Sequence, residues 1–168
     1  MRGLTIGLLL LGSTAALLAQ DKPALPATDV TAKDVAAFLK ALPRNDISDK
    51  AIRIVNVGGY QVGIYGVFRP KSMASDAIAH ETSTSEIYYM LEGSATLVTG
   101  GIIAGKGGRV TASTGPRGEK IEGGVTRHVS KGDMIIIPGR TPHWWSSLDG
   151  DIQYLIFRPD PDSKLTMR

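Results

Sequence analysis

Period-two alternation of apolar and polar residues governs most of this chain, and one short helical stretch precedes it. In "TAKDVAAFLKAL", beginning at Thr31, Val35, Phe38 and Leu39 form a stripe at helical spacing. Thr31 can cap the stretch with Asp34 as a capping-box partner, and Pro43 ends it. The pattern predicts one helix over 32–41, packed on the rest of the domain. From Ala51 onward the period is two. "AIRIVNV" alternates through Ile52, Ile54 or Val55, and Val57, and "YQVGIYGVF" places Val62, Ile64 and Phe68 on one face. "SEIYYMLEG" and "SATLVTG" read as strands on either side of a Glu92-Gly93 turn. "DMIIIP" reads as a buried strand. "HWWSSL" and "DIQYLIFRP" read as a hairpin across Asp149-Gly150. Short strands at near-regular spacing predict a sandwich or barrel. The absence of strand–helix alternation argues against a Rossmann-like sheet.

Residues 100–131 break the pattern. They are rich in glycine and charge, and long for a loop in a compact domain. Weak strands near Ile102 and Val125–Val129 and a mobile lid are both compatible with them. "GKGGR" lacks the spacing and the strand-to-helix context of a phosphate-binding loop.

Composition narrows the function classes. At 168 residues the chain suits one domain. The net charge of +3 is small and scattered, with no two adjacent Lys or Arg residues, so no electrostatic footprint for nucleic acid exists. The start, "MRGLTIGLLLLGSTAALLAQDKPALP", has a positive residue, a short apolar run and then small and polar residues. It predicts a secretory signal over 1–19, cut after Ala19 or alternatively Ala16, and a protein exported to the periplasm or medium. The run is short for a membrane span, so no stable span is expected after cleavage. A tether and the helix fill 20–50, the barrel 51–160, and a short tail 161–168. There are no cysteines. An exported chain of this kind has no disulfides, and any metal site must be built from imidazole and carboxylate.

Two segments carry candidate chemistry. In "HETSTSEIYYMLEG", His80 is followed by Thr82, Glu86 and Gly93. In "GDMIIIPGRTPHWW", Gly132 is followed by Pro138 and His143. These spacings resemble the two cupin motifs, G-x5-H-x-H-x3-E-x6-G and G-x5-P-x-G-x2-H-x3-N. The resemblance covers about 80–150 well, and the flanking strands extend it to about 51–158. Thr82 stands where the family has its second histidine. Ala74, Arg140 and Ser147 replace the first glycine, a turn glycine and the closing Asn.

The resemblance implies an all-β fold, a single double-stranded β-helix (jelly-roll) barrel with a short N-terminal helix. It also implies one divalent metal ion (Fe, Mn, Zn or Ni) held by His80, Glu86 and His143, and a homodimer. Two imidazoles and a carboxylate leave coordination positions open for water, substrate or dioxygen. Alternation sends His80, Thr82, Glu86 and Tyr88 to one side of a regular strand, with Ile87, Tyr89 and Leu91 opposite. His143 and Trp145 share a face, with Trp144 opposite. The expected substrate pocket therefore includes Thr82, Met90 and Trp145, with Tyr65, Phe68 and Tyr154 as weaker additions. Tyr88 is the candidate acid/base or orienting hydroxyl. Thr82 could hold a metal-bound water, act as a distant ligand, or mark a barrel that has lost its metal. A buried Glu86 without a partner would be costly, and a metal removes that cost. His128 is read as a solvent-facing strand residue, with the cavity mouth or the place of the missing ligand as alternatives, and Arg140 and Arg158 as surface arginines paired with a nearby Asp, with a contact to an acidic substrate as the alternative. The implied functions are a metal-dependent enzyme of the dioxygenase, isomerase, decarboxylase or lyase type acting on a small organic molecule, or a non-catalytic small-molecule-binding barrel.

Overall fold

The computed structural model describes residues 24–73, 75–107 and 115–166. The expected signal segment and cleavage site, Ala74, and the middle of the glycine-rich stretch lie outside the described residues. The helix α1 spans Ala32–Ala41. The Thr31 hydroxyl accepts from the Asp34 amide at 3.2 Å, and the Asp34 carboxylate accepts from the Thr31 amide at 3.2 Å. That reciprocal pair satisfies two amides which the helix itself leaves open. The buried face of α1 packs Leu39 with Leu42 and Phe68, flanked by Val35, Phe38 and Leu91.

Twelve strands follow among the described residues: β1 (Ser48–Asn56), β2 (Gln61–Arg69), β3 (Ala77–Ile78), β4 (Glu86–Glu92), β5 (Ser94–Thr99), β6 (Ile102–Ala104), β7 (Arg117–Gly118), β8 (Lys120–Glu122), β9 (Val125–Ser130), β10 (Met134–Ile137), β11 (His143–Leu148) and β12 (Ile152–Asp160). One sheet has the order β1-β2-β12-β4-β10 and the other β7-β3-β11-β5-β9, while β6 and β8 form a separate two-stranded arm. Every pairing is antiparallel. Leaving out the outer strands β1 and β7 and the arm, successive strands alternate between sheets except at the β5–β9 pair. That order is a jelly roll, closed by two Greek keys. The fold is thus a double-stranded β-helix barrel with one short helix among the described residues, as the motif resemblance implies. The core lies between the sheets and includes Val67, Met90, Leu97, Ile137, Trp145 and Tyr154.

Three strand readings need correction. "DMIIIP" is not buried on both sides: Met134 and Ile136 are 64% and 71% exposed, while Ile135 and Ile137 are buried. β10 is an edge strand, and nothing among the described residues covers its outer face. The Asp149-Gly150 turn does not make a hairpin. β11 pairs with β3 and β5, whereas β12 pairs with β2 and β4, so the turn carries the chain from one sheet to the other. On β2, the apolar face bearing Phe68 lies outside the barrel, under α1. Gly66 provides the space, because a Cβ there would sit 3.0 Å from both Leu39 and Phe38. Val67 reaches the core and Tyr65 packs against it. Phe68 therefore belongs to the helix contact and not to the pocket.

The segment 100–131 contains the arm, β7 and all of β9, so both strands expected near Ile102 and Val125–Val129 are present. At the site of the replaced turn glycine, Arg140 has φ 64°, the left-handed conformation that glycine adopts without strain.

Candidate metal centre and its cavity

The two motif segments meet inside the barrel. Glu86 opens β4 and His143 opens β11. His80 lies on the irregular stretch between β3 and β4. The amide of its neighbour Ala79 donates to the Pro116 carbonyl at 3.1 Å, and the Ser85 amide donates to the Pro159 carbonyl at 3.2 Å. Buried Thr84 anchors the middle of this stretch, its hydroxyl 3.0 Å from the equally buried Asp160 carboxylate. His80 Nε2 lies 3.4 Å from Glu86 Oε1, and His143 Nε2 lies 3.3 Å from Glu86 Oε2. One donor atom from each of the three falls within 4.8 Å of the others, so His80, Glu86 and His143 could hold a metal ion. Glu86 and His143 are buried, whereas the His80 side chain keeps 23% of its exposure and stands nearer solvent.

Glu86 has strong protein partners, which overturns the expectation of an unpaired carboxylate. Nε and Nη2 of Arg158 both lie 2.7 Å from Oε1, and the Tyr88 hydroxyl donates to Oε2 at 2.9 Å. Arg158 is therefore not a surface arginine. It turns inward from β12, stacks 4.1 Å over the Tyr65 ring, and also binds Asp49 at 2.7 Å. Burial alone would push the Glu86 carboxyl up. The Arg158 charge and the two imidazoles outweigh it and hold the group well below the usual carboxylate range. Burial and then the adjacent Glu86 charge push the Tyr88 phenol well above its ordinary value, so it stays protonated and donates.

His143 provides the observation most specific to a metal. Its Nδ1 lies 2.9 Å from the Thr141 carbonyl, which can only accept, so Nδ1 carries the proton. Burial lowers the His143 pKa and favours the neutral ring. The lone pair of Nε2 then faces a carboxylate oxygen at 3.3 Å, an acceptor against an acceptor. A cation between them resolves that opposition. Orientation of a ligating imidazole by a backbone carbonyl on its other nitrogen is the usual support for a metal ligand.

The triad lines a cavity of about 120 Å³. Its other walls include Tyr88, Arg158, Asp49, Arg69, Ser75 and Ile156. Thr82, Met90 and Trp145 are not among the lining residues. Met90 and Trp145 do point inward, but they lie in the packed core, and Trp145 Nε1 donates to the Tyr154 hydroxyl at 3.2 Å. Thr82 lies in the irregular stretch, where strict alternation no longer fixes which way a side chain points. Trp144 packs on the other side of β11 and donates to the Ser75 carbonyl at 2.7 Å. His128 is exposed and pairs with Asp149 at 2.8 Å, away from the triad. Arg140 is at the surface, with Nε 3.3 Å from the Glu81 carbonyl. Arg69 and Asp49 line the cavity without having been singled out. Helix α1 covers the outer face of β2 at Phe68, which leaves the neighbouring Arg69 on the inner face.

No protein-family model matches the chain, and no curated protein matches it in sequence. Among solved structures, it is similar to an RmlC-like cupin family protein with a double-stranded β-helix fold from Methanocaldococcus jannaschii, at 14% identity. The match covers 71% of this chain and 88% of that one, with a TM-score of 0.41. A conserved protein with a double-stranded β-helix domain from Klebsiella pneumoniae matches at 13% identity over 84% and 97% of the two chains, TM-score 0.47. The Cnp3 cupin domain of Schizosaccharomyces pombe matches at 9% identity over 73% and 66%, TM-score 0.46. The class itself follows from strand order and from the inward meeting of the two motif segments: the chain has a cupin fold.

Proposed function

We propose that this protein is an exported, metal-binding cupin that acts on a small organic molecule in the cavity beside His80, Glu86 and His143. The carrying observation is the Nε2 lone pair of His143, fixed by Thr141 and aimed at a carboxylate oxygen. When bound, a divalent ion supplies Lewis-acid polarisation of a carbonyl or carboxylate oxygen and, if it is iron, a site for dioxygen chemistry. The protein's own groups fix the geometry. Arg158 and Tyr88 hold the Glu86 carboxylate in place, and Tyr88, kept neutral, orients and donates rather than abstracting a proton. Elemental mass spectrometry of the native protein, purified without chelator, is the test. About one equivalent of iron or manganese would support oxygen or redox chemistry. Zinc or nickel would point to hydrolytic, isomerase or lyase chemistry. No metal, and none after reconstitution, would overturn the metal reading.

A non-catalytic binding barrel is the second reading, favoured by one observation. Arg158 and Tyr88 already satisfy Glu86, so the barrel does not need an ion to tolerate that carboxylate. The export reading rests on the N-terminal apolar run. Among the described residues no helix is long and apolar enough to cross a membrane.

A homodimer is also part of this reading. Tyr89 on β4 and Met134 and Ile136 on β10 project from the outer sheet face at 37%, 64% and 71% exposure. Met134 pairs with Tyr89 and Ile136 with Ile87, so the exposed side chains adjoin on one face at an open sheet edge. Sedimentation should show a dimer for the protein and a monomer for the double variant Met134→Asp/Ile136→Asp. Equal sedimentation of the two would reject this face as the interface.

A further inference from the structure

Among the described residues the cavity holds three arginines, and two of them are committed to carboxylates. Arg158 binds Glu86 and Asp49. Arg117 lies 3.7 Å from Asp76. Arg69 differs. Its Nε donates to the Tyr154 hydroxyl at 2.8 Å and its Nη1 to the Ser75 hydroxyl at 3.2 Å. Both acceptors are neutral. Neighbours fix both: the Tyr154 hydroxyl also accepts from Trp145, and Ser75 Oγ lies 3.3 Å from the Asp76 carbonyl. A guanidinium has five N–H donors. Two are used here, and three remain on a side chain that lines the same cavity as the triad. A cation in this setting, held rigid by hydroxyls and lacking a carboxylate, is a half-built anion site.

We infer that Arg69 anchors the carboxylate of a small monocarboxylate ligand, whose remaining atoms extend toward His80, Glu86 and His143. Charge balance supports the assignment. Among the described residues, the arginines and carboxylates lining the cavity are Arg69, Arg117 and Arg158 against Asp49, Asp76 and Glu86, so these six charges cancel. A divalent ion at the triad would leave the site positive, and an anionic ligand restores balance. Size narrows the class. An engineered protein cavity of about 150 Å³ admits benzene. The present 120 Å³ suits a carboxylate of roughly six non-hydrogen atoms, and not a sugar phosphate. A flat guanidinium end with its outer N–H bonds free pairs with a carboxylate through two parallel hydrogen bonds. The inference rests on the proposed function for the ion, but the Arg69 half of it can be read without one.

Calorimetric titration with propanoate and with its neutral isostere propanamide tests this, on protein loaded with manganese and on protein freed of metal by chelator. Propanoate should bind and propanamide should not. Arg69→Gln should weaken propanoate by roughly ten- to a hundredfold, the range for a lost hydrogen bond to a charged group. Manganese affinity, titrated separately, should stay unchanged. Should Arg69→Gln fail to fold by circular dichroism, Arg69→Lys carries the test. It keeps the charge but loses the paired donors, and should also bind propanoate more weakly. Equal binding of acid and amide, no propanoate binding by the parent protein, or unchanged binding in the folded variant would overturn the inference. If manganese does not bind but propanoate still requires Arg69, the metal reading fails and the anchor stands.

Discussion

Replacing Arg158 by Met is expected to destabilise the barrel by about 3–5 kcal/mol, the cost of removing one partner from a buried charge pair. Arg158 provides two of the closest contacts to Glu86, and Glu86 is only 2% exposed. Without the guanidinium, only the two imidazoles oppose the burial that raises the carboxyl's pKa. Asp49 loses its partner as well, but its side chain is 34% exposed and water replaces much of that contact. The large term therefore belongs to Glu86. Urea unfolding at pH 7 measures it. The double variant Arg158→Met/Glu86→Gln should recover much of the loss, because no uncompensated charge remains. Equal instability of single and double variants would mean that Arg158 acts through its packing on Tyr65 instead. The distinction matters for function, since Arg158 fixes the carboxylate that the proposed ion would share.

This arginine also shows where sequence reading stops. Alternation located most of the main strands because local backbone geometry sets it, and the resemblance of the two motif segments implied the meeting of His80, Glu86 and His143 that the fold shows. The residues around the triad were less legible. Arg158 read as a surface arginine paired with a nearby Asp. It is buried because β12 runs through the middle of its sheet, between β2 and β4. Arg69 was hidden for a related reason. Helix α1 covers the outer face of β2, so the apolar residues of that strand mark the wrong side as the interior. Met90 and Trp145 were correctly turned inward, but alternation gives direction and not depth, and they fill the core. The corner at Asp149-Gly150 has hairpin turn chemistry, yet jelly-roll connectivity sends the next strand to the opposite sheet. In each case the deciding contact is far apart in sequence: Arg158 with Glu86, Arg69 with Tyr154, β11 with β5.

Acid should weaken the metal-free protein, and a bound ion should oppose that weakening. The His143 pKa is lowered by burial from 6.5, so between that value and its folded value the unfolded chain binds more protons than the native one. Stability then rises with pH, and it falls as pH drops below about 6.5. Glu86 adds to this lower down. Its folded pKa lies well below 4.5, so its contribution is present above 4.5 and lost as pH falls through the folded value. The two groups have the same sign and act in successive windows. A metal ligated by neutral His143 and ionised Glu86 competes with those protons, so its affinity should also fall with acid. At a free ion concentration a hundredfold above Kd, the ion should stabilise the fold by about 2.7 kcal/mol at pH 7. His143→Ala should lose that increment, whatever its own stability, and should flatten the profile near pH 6.5. Thermal unfolding at pH 5, 6, 7 and 8, with manganese and with chelator, reads both effects in one set. A manganese increment that survives His143→Ala would remove His143 from the centre, and with it the strongest structural reason for placing an ion there.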